Sequence, residues 1–248
     1  MKGSDAGRLF LAAGVTAGVA HVAPAAVAWR RARCRLAPVL SGVGRPGHVA
    51  LTFDDGPDPR STPAILAALD QLGWRATFFV LGTQVRKAPS LLDEILQQGH
   101  ELGVHGDQHV SHLRRPAPWV AADVARARAL IEDRTGQSMR WFRPPYGALA
   151  ASSLVAARRT GLQTVLWSTW GRDWRREATA RSVADDVART WHVGAAVLLH
   201  DSDVTSAAGS WQAAVGALPM LAEAWDSYEV GRLCDHGLPD RRRPLPGK

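Results

Sequence analysis

Cysteine is scarce: Cys34 and Cys234 are the only two in 248 residues. That leaves room for one disulfide at most. Both read as free thiols, and their use does not settle the compartment. A basic surplus is also missing where the chain folds. The net charge is +7, but residues 1–46 hold seven Lys/Arg against one acid, and residues 235–248 hold four against two. Between Gly47 and Cys234 stand 19 Lys/Arg and 20 Asp/Glu. Without a phosphate-binding excess in that stretch, nucleic acid is not an expected partner. The basic tails would suit an anionic membrane surface or polymer, or stand as solvated termini. No internal repeat is present. At 46% apolar residues the chain can bury a sizeable core, as one large α/β domain or two small ones.

The N-terminus carries a long apolar stretch, Leu9 to Trp29, interrupted by Thr16, His21 and Pro24. Its length would span a bilayer. Lys2 and Arg8 precede it and Ala26-Val27-Ala28 resembles a signal-peptidase site. Arg30, Arg31, Arg33 and Arg35 follow and favour keeping that side cytoplasmic. Membrane anchor, cleaved signal and peripheral helix therefore remain three readings. The expected location is membrane-anchored or secreted.

From His48 onward strand and helix patterns alternate. Strand-like runs are His48–Phe53, Ala76–Leu81, Glu101–Val104, Arg140–Phe142, Gln163–Trp167 and Ala195–Leu199. Helix-like stretches lie near Thr62–Leu72, Ser90–Gln98, Val120–Arg134, Ser152–Arg159, Ser182–Trp191 and Trp211–Ala224. Ser61-Thr62-Pro63 is a good helix start, and Gly73, Gly99, Gly136 and Gly161 stand where C-terminal caps often do. Repeated βα units predict a parallel sheet, open or closed as a barrel.

The chemistry gathers at strand ends. Thr52-Phe53-Asp54-Asp55-Gly56-Pro57 puts two adjacent carboxylates at the end of a buried strand. Each anion raises the other's pKa and burial disfavours both. A cation that ligated one carboxylate would remove that cost and leave the other free as a base. His105 and His109 follow another strand and could meet one ion if they share a helical turn. With Asp55 they would supply three ligands and leave a position open for water and substrate. His112 could compete. Arg143-Pro144-Pro145-Tyr146-Gly147 forms a rigid turn in which Arg143 could orient a carboxylate. Asp173-Trp174 ends a Trp-rich region, and Leu198-Leu199-His200-Asp201 sets a histidine at the end of an apolar strand.

In this order, Thr52–Pro57, His105 with His109, Arg143–Gly147, Asp173-Trp174 and Leu198–Asp201 resemble the polysaccharide deacetylase family. It is also called the NodB-homology domain or carbohydrate esterase family 4. The resemblance covers about residues 48–234. It implies an α/β fold, a distorted (β/α) barrel of parallel strands, with Zn2+ or another divalent metal, acting on acetylated glycans. By position it implies Asp55, His105 and His109 as metal ligands and Asp54 as the general base. His200 would be the general acid for the leaving amine, Arg143 would hold Asp54, and Asp173 would orient His200. The backbone N–H of Tyr146 would help hold the oxyanion. Gly106 departs from the family, which often has Ser or Thr there.

The expected organisation is an N-terminal apolar segment and basic linker (1–47), a deacetylase domain (48–234) and a basic tail (235–248). The expected function is metal-dependent removal of acetyl groups from an N-acetylated (or O-acetylated) polysaccharide. The alternatives are a metal-dependent amidohydrolase acting on a non-sugar amide and an inactive carbohydrate-binding protein. Trp119, Trp141, Trp170 and Trp211 are candidates for stacking on sugar faces.

Overall fold

The computed structural model describes residues 30–240. The apolar stretch Leu9–Trp29 and residues 241–248 lie outside the described residues, and with them the three readings of the N-terminus. No helix among the described residues is long and apolar enough to cross a membrane.

The strands are β1 (His48–Asp54), β2 (Thr77–Val80), β3 (Glu101–Val104), β4 (Trp141–Phe142), β5 (Gln163–Thr164), β6 (Thr169–Trp170), β7 (Ala196–His200) and β8 (Glu229–Gly231). They pair in parallel in the order β5-β4-β3-β2-β1-β7-β6, with β8 added at the start of β1. The helices are α1 (Arg30–Leu36), α2 (Thr62–Gln71), α3 (Gly82–Val85), α4 (Ser90–Gln97), α5 (Ala117–Thr135), α6 (Ala151–Arg159), α7 (Ala180–Thr190) and α8 (Trp211–Ala224). This is the expected α/β architecture, a curled parallel sheet with the strand order of a distorted barrel.

β1 is buried along its whole length, as a strand covered on both faces must be. Alternation sends Val49, Leu51 and Phe53 into the large core shared with the helices. Ala50 enters a smaller cluster with Phe79, Trp141, Val165 and Ala196, and Thr52 and Asp54 share its parity. The same alternation therefore delivers the Asp54 carboxylate to the sheet's inner face at its carboxyl end.

Several boundaries differ from those read in the sequence. The run Gln163–Trp167 is not one strand. Its backbone leaves the ladder after Thr164 because side chains take its carbonyls. Arg143 donates to Val165 O (3.4 Å) and Leu166 O (2.9 Å), and Arg33 donates to Trp167 O. Pairing resumes only at Thr169. This link joins the two edge strands, β5 and β6, and forms the seam of the barrel. The seam is clasped from outside: Leu166 N–H donates to Leu40 O at 2.7 Å, and Arg30 of α1 donates to Ser168 O at 2.7 Å.

Residues 30–47 thus pack against the body, and Leu238 joins the inner cluster. β8 escaped the sequence reading because its three residues, partly exposed, carry no readable alternation. The four glycines expected at helix ends all take left-handed φ, and Gly136 caps α5 with its N–H on Glu132 O. Cys34 and Cys234 are both free.

Candidate active site

The β1 register sets Asp54 beside His200 of β7 and Phe79 of β2. His105 directly follows β3 and Arg143 directly follows β4. Four chemically active residues therefore stand at the carboxyl end of one parallel sheet, where such folds place their sites.

The adjacent carboxylates have different partners. Asp54 Oδ1 accepts from Arg143 Nη1 at 2.7 Å. Arg143 is fully buried, with Thr52 Oγ1 at 2.9 Å from the same nitrogen and the Phe79 ring 4.0 Å from its guanidinium carbon. Burial lowers its pKa against the opposing pull of Asp54. Asp55 turns away through a left-handed backbone (φ 82°), which Asp tolerates better than most residues. Its Oδ2 accepts from Thr205, and its Oδ1 lies 3.3 Å from both His105 Nε2 and His109 Nε2. Next along, Gly56 must be glycine: a Cβ there would fall 2.0 Å from Asp201 Oδ2. Burial pushes the Asp201 carboxyl up to about 7, although Thr62 and the Gly56 N–H donate to it.

The Asp55–His105–His109 set fits a divalent cation. One ligand atom from each residue lies within 4.8 Å of the others. Asp55 Oδ1 and His105 Nε2 are buried without a hydrogen-bond partner, as atoms facing an ion would be. His105 Nδ1 lies 2.8 Å from Arg143 O. That carbonyl can only accept, so Nδ1 carries the proton and Nε2 keeps its lone pair. Burial lowers His109 to about 4 despite the pull of Asp55, so it is neutral and can ligate at neutral pH. Burial alone would raise Asp55; the His105 contact and the charge of His200, with His105 and His109 adding theirs once protonated in acid, outweigh it and hold the carboxyl well below the usual range. The two histidines meet on a loop, not on a helical turn, with Gly106 at φ 103°.

Across the site, Asp173 holds His200 twice, at the ring Nδ1 (2.9 Å) and the backbone N–H (2.7 Å). Burial would lower the His200 pKa. The charge and hydrogen bond of Asp173, with Asp55 and Asp54 farther off, overcome it and raise the value to about 10. His200 is therefore an imidazolium at neutral pH, with Nε2–H free to donate.

These groups open into a cavity of about 310 Å³ whose apolar wall is Trp167, Trp170, Trp174 and Leu198. The three indoles form a chain, 6.0 and 5.4 Å between centroids, and Trp174 ends 5.5 Å from the His200 ring. Of the four tryptophans proposed as sugar platforms, only Trp170 lines this cavity. Trp141 is fully buried and Trp119 packs on the helix-side core, while Trp211 begins α8. Trp167 and Trp174 were the better candidates, since each neighbours a motif at a strand end. Tyr146 lines the cavity with φ 61°, its ring 4.2 Å from that of His109.

His112 does not compete for the ion. It is fully buried, with Nδ1 3.0 Å from Ser153 Oγ and Nε2 3.8 Å from Asp123 Oδ2. Asp123, on α5, carried no readable signal. Its carboxylate accepts the N–H groups of Asp107 (2.9 Å) and Gln108 (3.2 Å), bracing the loop between the two histidines. A Cβ at Gly106 would come 2.8 Å from Asp123 Oδ2. The carboxylate thus occupies the place a hydroxyl-bearing side chain would need. Asp123→Ala should weaken the affinity of this candidate site for a divalent cation by about 10- to 100-fold, measured by competition with a chelating dye. An unchanged affinity would show that the loop needs no brace.

A profile described as polysaccharide deacetylase matches residues 41–165, just over half of the chain. The chain belongs to the polysaccharide deacetylase family. A peptidoglycan-N-acetylglucosamine deacetylase from Bacillus cereus is 36% identical over 156 residues, covering 62% of this deacetylase-family chain and 72% of that one. A chitooligosaccharide deacetylase from Azorhizobium caulinodans is 31% identical over 199 residues, covering 80% and 92%. The solved Bc1960 peptidoglycan N-acetylglucosamine deacetylase superposes with a TM-score of 0.74 at 27% identity, covering 82% of this chain and 94% of that one. The profile match ends at residue 165, so Asp173 and His200 lie beyond it.

Proposed function

We propose that this deacetylase-family chain removes acetyl groups from an N-acetylated glycan in a metal-dependent reaction that yields acetate and a free amine. One observation carries the reading. Neighbouring carboxylates are committed to different partners, Asp54 to Arg143 and Asp55 to the histidine pair, opposite a protonated His200. The named relatives, which act on peptidoglycan or chitooligosaccharide, support it.

A divalent cation held by Asp55, His105 and His109 would polarise the acetyl carbonyl and acidify the attacking water. Asp54 is the base that takes the proton from that water, and Arg143 fixes which carboxylate oxygen stays free to do so. As the carbon–nitrogen bond breaks, His200 gives its Nε2 proton to the nitrogen. An amine cannot leave as an anion, so a charged His200 favours the N-acetyl over the O-acetyl reaction. The backbone N–H of Tyr146 is the assigned donor to the carbonyl oxygen, and the indole wall excludes water and receives the sugar face. A protein that only bound glycans would need neither the base nor the acid. The apolar Leu9–Trp29 stretch supports a membrane-anchored or secreted location.

Acetate release from N-acetylated glycans should fall by at least about 100-fold in EDTA and return with zinc. Release that ignored chelation would remove the metal from the reading, and no release from any acetylated glycan would remove the activity.

A further inference from the structure

A second cavity, of about 530 Å³, adjoins the first and shares His109 and Tyr146 with it. Val110, Ser111, Arg114 and Arg115 complete its lining. Among the described residues its lining contains no acidic side chain. Arg114 and Arg115 are exposed and form no salt bridge among the described residues. Most other arginines near the site are committed elsewhere: Arg86 and Arg126 to Asp107, Arg60 to Asp58 and Asp203, Arg143 to Asp54. Arg115 is held in place by stacking, its guanidinium carbon 5.0 Å from the Trp119 ring centre. Both arginines belong to the turn around His112–Arg114, whose His112 is tied to Ser153, so the turn is anchored.

We infer that this cavity is a subsite for a carboxylate carried by a sugar next to the one deacetylated, so that the preferred substrate is an acidic acetylated glycan. The inference rests on the deacetylase reading above and names its substrate class. The chemistry is direct. Guanidinium groups bind carboxylates through paired, charge-assisted hydrogen bonds, and two of them with no internal counter-ion leave a positive potential for the ligand to neutralise. His109 and Tyr146 form a wall common to both cavities. A glycan bound with its acetyl group at the reacting end therefore places a neighbouring residue beside the arginines. A neutral chitin-type oligomer would gain nothing there, whereas a peptide-free peptidoglycan strand, whose lactyl groups are free carboxylates, would.

The test uses three probes on the full chain: a neutral N-acetylglucosamine oligomer, a peptide-free peptidoglycan oligosaccharide with its lactyl carboxylates, and that oligosaccharide methyl-esterified. The free acid should exceed its ester in kcat/KM by about tenfold at low salt, and the ratio should shrink as salt rises. In the Arg114→Gln/Arg115→Gln protein the ratio should fall to about one. A ratio near one in the unaltered protein, or one that survives the double substitution, would overturn the subsite. If no probe releases acetate, the same acid-to-ester ratio read from equilibrium binding still decides the subsite. Failure of the activity and failure of the subsite are thus told apart.

Discussion

Asp54→Asn should lower kcat by about 10³-fold while zinc stays bound. The loss follows from chemistry alone: an amide keeps the shape and cannot take a proton, and a positioned base contributes about 10²–10⁴-fold. Zinc should be retained because the candidate ligand atoms belong to Asp55, His105 and His109, not to Asp54. A second effect accompanies the first. Arg143 is fully buried and loses the only carboxylate it touches among the described residues, so the melting temperature should also fall. Measuring zinc content, melting temperature and kcat together separates the roles. A zinc-loaded variant that turned over at the original rate would show that Asp54 is not the base. Loss of zinc would place Asp54 among the ligands.

His200→Ala should cost kcat about 10²- to 10⁴-fold, and Asp173→Asn should reveal why. Burial alone would lower His200; Asp173, joined by Asp55 and Asp54, overcomes it and raises the value to about 10. The proton donor must be charged, so the rate declines as pH rises through that value. Asn at 173 removes the charge, and the alkaline limb of kcat should move to lower pH by about one unit or more. A bound cation would partly offset the pull of Asp54 and Asp55, so the limb of the metal-loaded protein should lie below about 10.

Stability follows the same sign. A histidine raised on folding contributes fully below its ordinary value of 6.5, and that contribution is lost as pH climbs towards about 10. Metal-free protein should therefore lose melting temperature across this window, and Asp173→Asn should lose much less. Identical curves for the two proteins would mean that the pair is not coupled.

The parts of this site that sequence could reveal are those where a local pattern and a chemical residue coincide. Asp54 and His200 each end an apolar run, and Arg143 follows one, so the strand rule and the motif point to the same place. Asp55 with His105 and His109 was legible as a donor set, but the geometry was not: a loop bent at Gly106 brings the imidazoles together, where a helical turn had been expected. Other partners left no local trace. Asp123 sits mid-helix among alanines and arginines. Thr205 reaches Asp55 across 150 residues of chain. Arg33 looked like one of a run of surface charges, yet it is buried against Ser41 and Trp167. Such residues matter through a distant backbone group, and no window of neighbouring residues contains that group. The strand at Gln163–Trp167 was over-read for the same reason, since the arginines that end its pairing come from positions 33 and 143.

The join between β5 and β6 carries one more implication. Trp167, a wall of the reaction chamber, belongs to a strip of backbone fastened by guanidinium groups instead of a neighbouring strand. One of those fasteners, Arg33, precedes the family profile's match, which begins at residue 41. A protein begun at residue 41 would keep Asp55, His105 and His109 and still lose the latch behind its indole panel.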